Sequence, residues 1–109
     1  MGLVLAPIVD GKLDAWKTFI EDCKSGSKSD GFRDLNQRYN LTRHDIWHAE
    51  TPAGPMAVVL HEGPGSDDFM QALGQSDHSF DVWMKDQISE IHNMNFNEPP
   101  PGPPPQKLI

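Results

Sequence analysis

The stretch LTRHDIWHAETPAGPMAVVLH, residues 41–61, decides the fold. In its first half, apolar and polar side chains alternate around Ile46 and Trp47, which is the period of a half-buried strand. A turn rich in Pro and Gly follows at residues 51–55. The near-continuous apolar run of residues 56–61 then predicts a second strand. Two strands around one turn form a β-hairpin, and the neighbouring elements are expected to pack on it.

The residues before the hairpin predict one strand and two helices. Residues 3–9 form a short apolar run rich in β-branched side chains, which is typical of a strand covered on both faces. Over residues 12–24, apolar side chains recur every three or four positions, and this spacing predicts an amphipathic helix. A shorter stripe at Phe32, Leu35 and Tyr39 predicts a second helix that packs against the first.

The residues after the hairpin predict a long helix and a final strand. Ser66 is suited to cap a helix N-terminus, because its hydroxyl can accept from a free backbone N–H. The apolar stripe over residues 69–91 is interrupted near residues 74–79, so we expect a helix in two pieces. Residues 93–97 predict a short last strand. The proline-rich segment that follows predicts polyproline II backbone.

The predicted element order is β-α-(α)-β-β-α-β. This is the ferredoxin-like arrangement of the α+β class, an antiparallel sheet with helices on one face. The other face is left bare, and a chain of 109 residues buries little surface on its own. We therefore expect a homodimer whose copies cover each other's sheets. The domain is predicted to span residues 1–98, and residues 99–109 to form an arm lying across the dimer.

The composition argues against several classes of partner. Nine Lys and Arg against 16 Asp and Glu give a formal charge of -7, so a nucleic-acid partner is not expected. The single cysteine, Cys23, cannot form an internal disulfide, which favours a reducing compartment such as the cytoplasm. The apolar opening is too short for a signal peptide or a membrane span, so no membrane association is expected.

Three segments carry a resemblance to a known superfamily. They are IWHAETPAG at residues 46–54 running into residues 56–61, SDHSFDVW at 76–83, and EIHNMNF at 90–96. Through them the chain resembles the dimeric α/β-barrel superfamily over about residues 1–98. It is similar to antibiotic-biosynthesis monooxygenase-type and stress-responsive barrel proteins, and nearest to a bacterial branch without assigned activity. The resemblance implies a homodimer with a ligand site between the sheet and the helices of each subunit.

The histidines of the hairpin are candidate catalytic residues. His44 and His48 would lie roughly 13 Å apart along a strand, too far to share a metal ion, so no metal site is expected. Either could act as a general base, and Glu50 lies two residues from His48, close enough to bias its titration. His61 lies on the other strand, where the pairing register decides whether one of the two approaches it. The alternative interpretation is three polar residues on a partly wet sheet.

Aromatic side chains are candidate walls for a ligand. Trp47 on the hairpin and Phe80 and Trp83 after the helix break would line a cleft, together with His61 and with His78 from the break itself. Most aromatic residues in so small a domain are equally well explained as core. A haem would need an axial histidine such as His78 or His92, and nothing marks either as a ligand, so no cofactor is expected.

Three functions of different classes fit these residues. The leading hypothesis is a homodimer that binds a small apolar or aromatic organic molecule between sheet and helices. The second is a cofactor-independent monooxygenase or isomerase that uses His44 or His48 as its base. The third is a non-catalytic stress or assembly module, which would use the acidic helix faces and the proline-rich arm.

Overall fold

The computed structural model describes residues 1–97 and 105–109. Three strands and four helices follow one another in the order β1 (Gly2–Pro7), α1 (Leu13–Lys24), α2 (Ser29–Arg38), β2 (Arg43–Thr51), β3 (Gly54–Glu62), α3 (Phe69–Gln75) and α4 (Ser79–His92). The α+β class is therefore confirmed. Most of the predicted proline-rich arm lies outside the described residues, and its last five residues are exposed.

The hairpin forms as predicted, with a tighter turn. β2 and β3 pair antiparallel from Arg43↔Glu62 to Thr51↔Gly54, which leaves a loop of two residues. The Thr51 hydroxyl donates to the Gly54 carbonyl at 2.8 Å and accepts from the Ala53 N–H at 3.1 Å. Gly54 itself has a φ of 115°, a value that glycine adopts without strain. These contacts close the turn and fix the register of the whole hairpin.

β1 completes a three-stranded antiparallel sheet in the order β1-β3-β2. The predicted last strand does not form, because residues 93–97 adopt a turn and irregular backbone. Asn93 ends α4 in the left-handed conformation, with φ 53°, and redirects the chain. Phe96 then packs against the core and lies close to Gly74, so its side chain is used there instead of in a sheet.

The helices cover one face of this sheet. The inner face carries alternate residues of each strand, among them Val4, Ala57 and Ile46, and these lie against side chains of α1, α3 and α4. The outer face carries the intervening residues, of which Leu5 is 49% and Trp47 46% exposed. The part of the prediction that the structure confirms is an antiparallel sheet combined with helices.

A buried carboxylate joins the helices at the predicted break. Asp81 in α4 is fully buried and accepts hydrogen bonds from Arg38 at 2.7 and 3.1 Å, Tyr39 at 2.8 Å and Ser76 at 2.6 Å. Burial alone would raise the pKa of Asp81, but these donors outweigh it and hold the pKa at about 2. The ion pair between Arg38 and Asp81 links α2 to α4, and this link holds both helices over the sheet.

Candidate functional site

A small cavity lies between the inner sheet face and the helices, and we call it the sheet–helix cavity. Its volume is about 60 Å³. Most of its lining is apolar, from Val4, Val59, Phe69, Met84, Ile88 and their neighbours, and three histidines, His44, His61 and His92, also line it. A single water needs roughly 10 to 15 Å³ by this measure, so the cavity has room for a few waters or one very small molecule.

Two of these histidines form a cross-strand pair. His44 of β2 lies directly opposite His61 of β3, with ring centroids 4.5 Å apart and ring planes at 70°. The Phe69 ring packs edge-on against both imidazole rings, and the ring centroids of Phe32 and His44 are 4.7 Å apart. Burial, together with the nearby His61, lowers the pKa of His44 to about 3, and burial lowers the pKa of His61 to about 4. Both rings are therefore neutral at neutral pH.

The hydrogen bonds of the pair differ. His44 Nδ1 lies 2.8 Å from Asn36 Oδ1, and because an amide oxygen only accepts, Nδ1 carries the proton and Nε2 is left as an acceptor. His61 is only 2% exposed, and its ring has no hydrogen-bond partner among the described residues. No buried side-chain nitrogen in residues 1–97 and 105–109 lacks a partner, so the ring nitrogens of His61 are not fully enclosed by protein. The His61 ring itself lines the cavity.

His92 lines the opposite part of the cavity, from the last turn of α4. Its Nδ1 donates to the Pro7 carbonyl at 2.9 Å, which links α4 to the end of β1. Burial lowers the pKa of His92, against the opposing effect of this hydrogen bond. Its Nε2 is then also an acceptor when the ring is neutral. The sequence suggested His92 as a cation in the last turn of the helix and as one of two possible haem ligands, but not as part of this site.

His48, the second predicted base, lies apart from the cavity. It shares the inner face with His44, but its Nε2 lies 2.8 Å from Glu50 Oε1 and its ring packs against Trp16. The predicted interaction of His48 with Glu50 is thus a direct contact. It is His44, and not His48, that approaches His61 across the hairpin.

The remaining predicted ligand-binding residues are scattered. Trp47 lies on the outer face, because it alternates with His44 and His48 along β2. The His78 ring caps α4 by accepting from the Phe80 N–H at 3.3 Å. Phe80 packs against Gly31 of α2, and Trp83 lies between Phe80 and Phe19. Only His61 of the predicted set lines the sheet–helix cavity, because the helix break faces α2 instead of the sheet.

Three methionines also line the cavity, and sequence reasoning missed them as site residues. Met70, Met84 and Met94 come from α3, α4 and the segment after α4. Their signal in the sequence is the apolar stripe itself, which does not distinguish core from cavity lining. Methionine side chains are unbranched and flexible, so this wall can adjust to a guest.

Other chemistry is not assembled in the described part of the chain. Within it, no group of three or more His, Cys, Asp or Glu side chains is placed to hold a metal ion. Cys23 is buried, and burial, with nearby Asp22, raises the pKa of its thiol to about 12, so it is a poor nucleophile. None of the helices described has the length and apolar character needed to cross a membrane.

The comparisons with family models, curated proteins and solved structures found no match for this chain. The chemistry that the site can perform therefore has to follow from its geometry. A neutral imidazole with a pKa far below 7 accepts a proton poorly, since a general base works best when its pKa lies near the working pH. The same ring remains a good hydrogen-bond acceptor. The His44–His61 pair is better suited to holding a polar group than to removing a proton.

Proposed function

We propose that the protein binds a small, largely apolar organic molecule in the sheet–helix cavity. The observation that carries the proposal is the cross-strand pair of His44 and His61, two imidazole rings packed edge to face at the wall of a mostly apolar cavity. Buried polar groups in proteins are almost always hydrogen-bonded, and one without a protein partner calls for water or a ligand. A few convergent polar groups in an apolar cavity are typical of small-molecule sites.

The binding role is favoured over the monooxygenase or isomerase hypothesis. His44 lies at the cavity, but its lowered pKa makes it a weak base. His48 has a carboxylate partner, but it does not line the cavity. Neither of the two predicted bases therefore combines a place in the cavity wall with a pKa suited to proton abstraction at neutral pH.

Xenon tests whether the cavity accepts an apolar guest, and the five methionines provide the reporters. Met70, Met84 and Met94 line the cavity, whereas Met56 lies on the outer face. In protein labelled with 13C at the methionine methyl groups, dissolved xenon should change the NMR chemical shifts of the three cavity methyls until they saturate. The chemical shift of the Met56 methyl should stay unchanged. Shifts of equal size at all methyls, or none at all, would contradict the proposal.

Two neighbouring valines of β3 supply a matched pair of variants. Val59 lines the cavity, and Val58 projects from the outer face. Val59→Leu adds one methylene group to a small cavity and should weaken the xenon response severalfold. Val58→Leu makes the same chemical change on the other face and should leave the response unchanged. An equal effect of both variants would show that the response does not come from the cavity.

We also propose that two chains pair through the outer face into a ferredoxin-like dimeric α/β barrel. Support comes from the apolar residues that the register places on that face, beside the charged Arg43, Asp45 and Glu62 at one end: Leu3, Leu5, Met56, Val58, Leu60 and Trp47. A contiguous apolar patch of this kind on a small domain is typical of an interface. Membership of the superfamily rests on the resemblance of the three sequence segments and on this bare face.

Sedimentation analysis of a matched pair of variants tests the dimer. Leu5 is 49% exposed on the outer face, and Val82 is 40% exposed on α4. Leu5→Lys should convert the dimer to a monomer, because it places a charge in the apolar interface. Val82→Lys adds the same charge elsewhere and should leave the dimer intact. A wild-type protein that sediments as a monomer at all concentrations would refute the pairing.

A further inference from the structure

We infer that the sheet–helix cavity selects a neutral ligand that carries a hydroxyl group, a small molecule of the alcohol class. The inference rests on the proposed binding function and adds the chemistry of the ligand. It follows from three features of the cavity: the absence of lining charges, the excess of hydrogen-bond acceptors at the His44–His61 pair, and the available volume.

The lining contains no fixed charge. Among the described residues, no Asp, Glu, Lys or Arg lines the cavity. Moving a carboxylate or an ammonium group into such a site would be costly, because nothing there offsets the lost hydration. Charged metabolites are therefore poor candidates, and a neutral molecule is favoured.

The His44–His61 pair offers more acceptors than donors. Asn36 holds the Nδ1 proton of His44, which leaves His44 Nε2 as an acceptor. The neutral ring of His61, which also lines the cavity, supplies one acceptor and one donor. The pair thus presents two acceptors and one donor within rings that lie 4.5 Å apart.

A hydroxyl group matches this arrangement better than a carbonyl group. It can donate to one ring nitrogen and accept from the N–H of His61 at the same time. A ketone of equal shape can only accept, so it leaves both acceptors of the pair without a donor. Sites built to bond a hydroxyl reject analogues that lack one, because the protein groups then stay unpaired.

The volume limits the size of the ligand. At roughly 10 to 15 Å³ for one water, a cavity of about 60 Å³ has room for about four to six waters or one molecule of similar size. An engineered cavity that binds benzene is larger, about 150 Å³. A ring-sized alcohol would therefore need the side chains of Met70, Met84 or Met94 to move.

The test compares 2-propanol with acetone, which have the same four non-hydrogen atoms and differ only in the hydroxyl. Each is titrated into the full-length protein, and the shifts of the three cavity methionine methyls and of the 15N-labelled histidine rings are followed. The half-saturation concentration of 2-propanol should be about fivefold lower than that of acetone. The His61 ring nitrogens should shift with 2-propanol in parallel with the methyls.

Two variants test the origin of this preference. His61→Leu removes the donor and one acceptor, so the ratio between the two probes should fall towards one. His44→Phe removes the other acceptor and should lower the ratio as well, which provides a second test if His61→Leu does not fold. A wild-type ratio near one, with both probes and xenon bound in the cavity, would overturn the hydroxyl selectivity alone. No response to 2-propanol, acetone or xenon would overturn the binding function itself.

Discussion

Acidification from pH 8 to pH 5 should destabilise the fold through its buried histidine pair. Burial lowers the pKa of His44 to about 3 and that of His61 to about 4, from an ordinary value of 6.5. Below pH 6.5 the unfolded chain therefore binds protons that the folded chain does not. The contribution of these two histidines to the free energy of unfolding is fully present above pH 6.5. It is lost as the pH falls towards their pKa values in the folded protein.

The size of the loss follows from the pKa values. At pH 5 the medium is about 1.5 units below the ordinary histidine pKa, and at about 1.4 kcal/mol per unit each histidine lowers the free energy of unfolding by about 2 kcal/mol. The pair together accounts for about 4 kcal/mol, a large share of the 5 to 15 kcal/mol typical of a domain. Asp81 does not contribute at this pH, because its lowered pKa affects stability only below about 4.

Urea unfolding measures the effect directly. The free energy of unfolding is measured at pH 8, 7, 6 and 5 at one fixed protein concentration, with tryptophan fluorescence and circular dichroism as probes. It should fall by about 4 kcal/mol, mostly below pH 6.5. His61→Gln should remove about 2 kcal/mol of that dependence, since glutamine does not titrate. Equal stability at pH 8 and pH 5, or an unchanged dependence in His61→Gln, would refute the reasoning.

Two further predictions concern the contacts that hold the helices over the sheet. Asp81→Asn removes the buried charge partner of Arg38, which is 29% exposed and keeps its contact with Asp34. The free energy of unfolding by urea should therefore fall by about 1 to 3 kcal/mol, and an unchanged value would contradict this role. Gly31→Ala places a methyl group against the Phe80 ring and should lower the melting temperature, with a loss of about 1 to 3 kcal/mol. An unchanged melting temperature would show that α2 and α4 can separate without cost.

The sequence contains most of the information needed for the fold. The alternating β2 residues and the Pro/Gly turn predicted the hairpin, and the interrupted apolar stripe predicted the break between α3 and α4. The last strand was predicted wrongly, because the left-handed Asn93 and the packing of Phe96 against Gly74 are not visible as a pattern. Strand patterns are local, whereas the place of a short terminal segment depends on distant contacts.

The site was less predictable than the fold. Alternation along β2 already separates Trp47 from His44, so the outward position of Trp47 could have been read from the sequence. Counting outward from the two-residue loop places His44 opposite His61, but the loop length itself had to be known. The positions of His78, Phe80 and Trp83 depend on α4 packing against α2, which no local spacing reveals.

The sheet–helix cavity is expected to bind a small molecule. A crystal structure of the protein under xenon pressure tests it most directly, because xenon is located by its scattering alone. A xenon atom should lie in contact with Phe69, Met84 and Ile88, beside the ring of His61. A cavity filled by its own side chains, with xenon absent or found only on the outer sheet face, would contradict it.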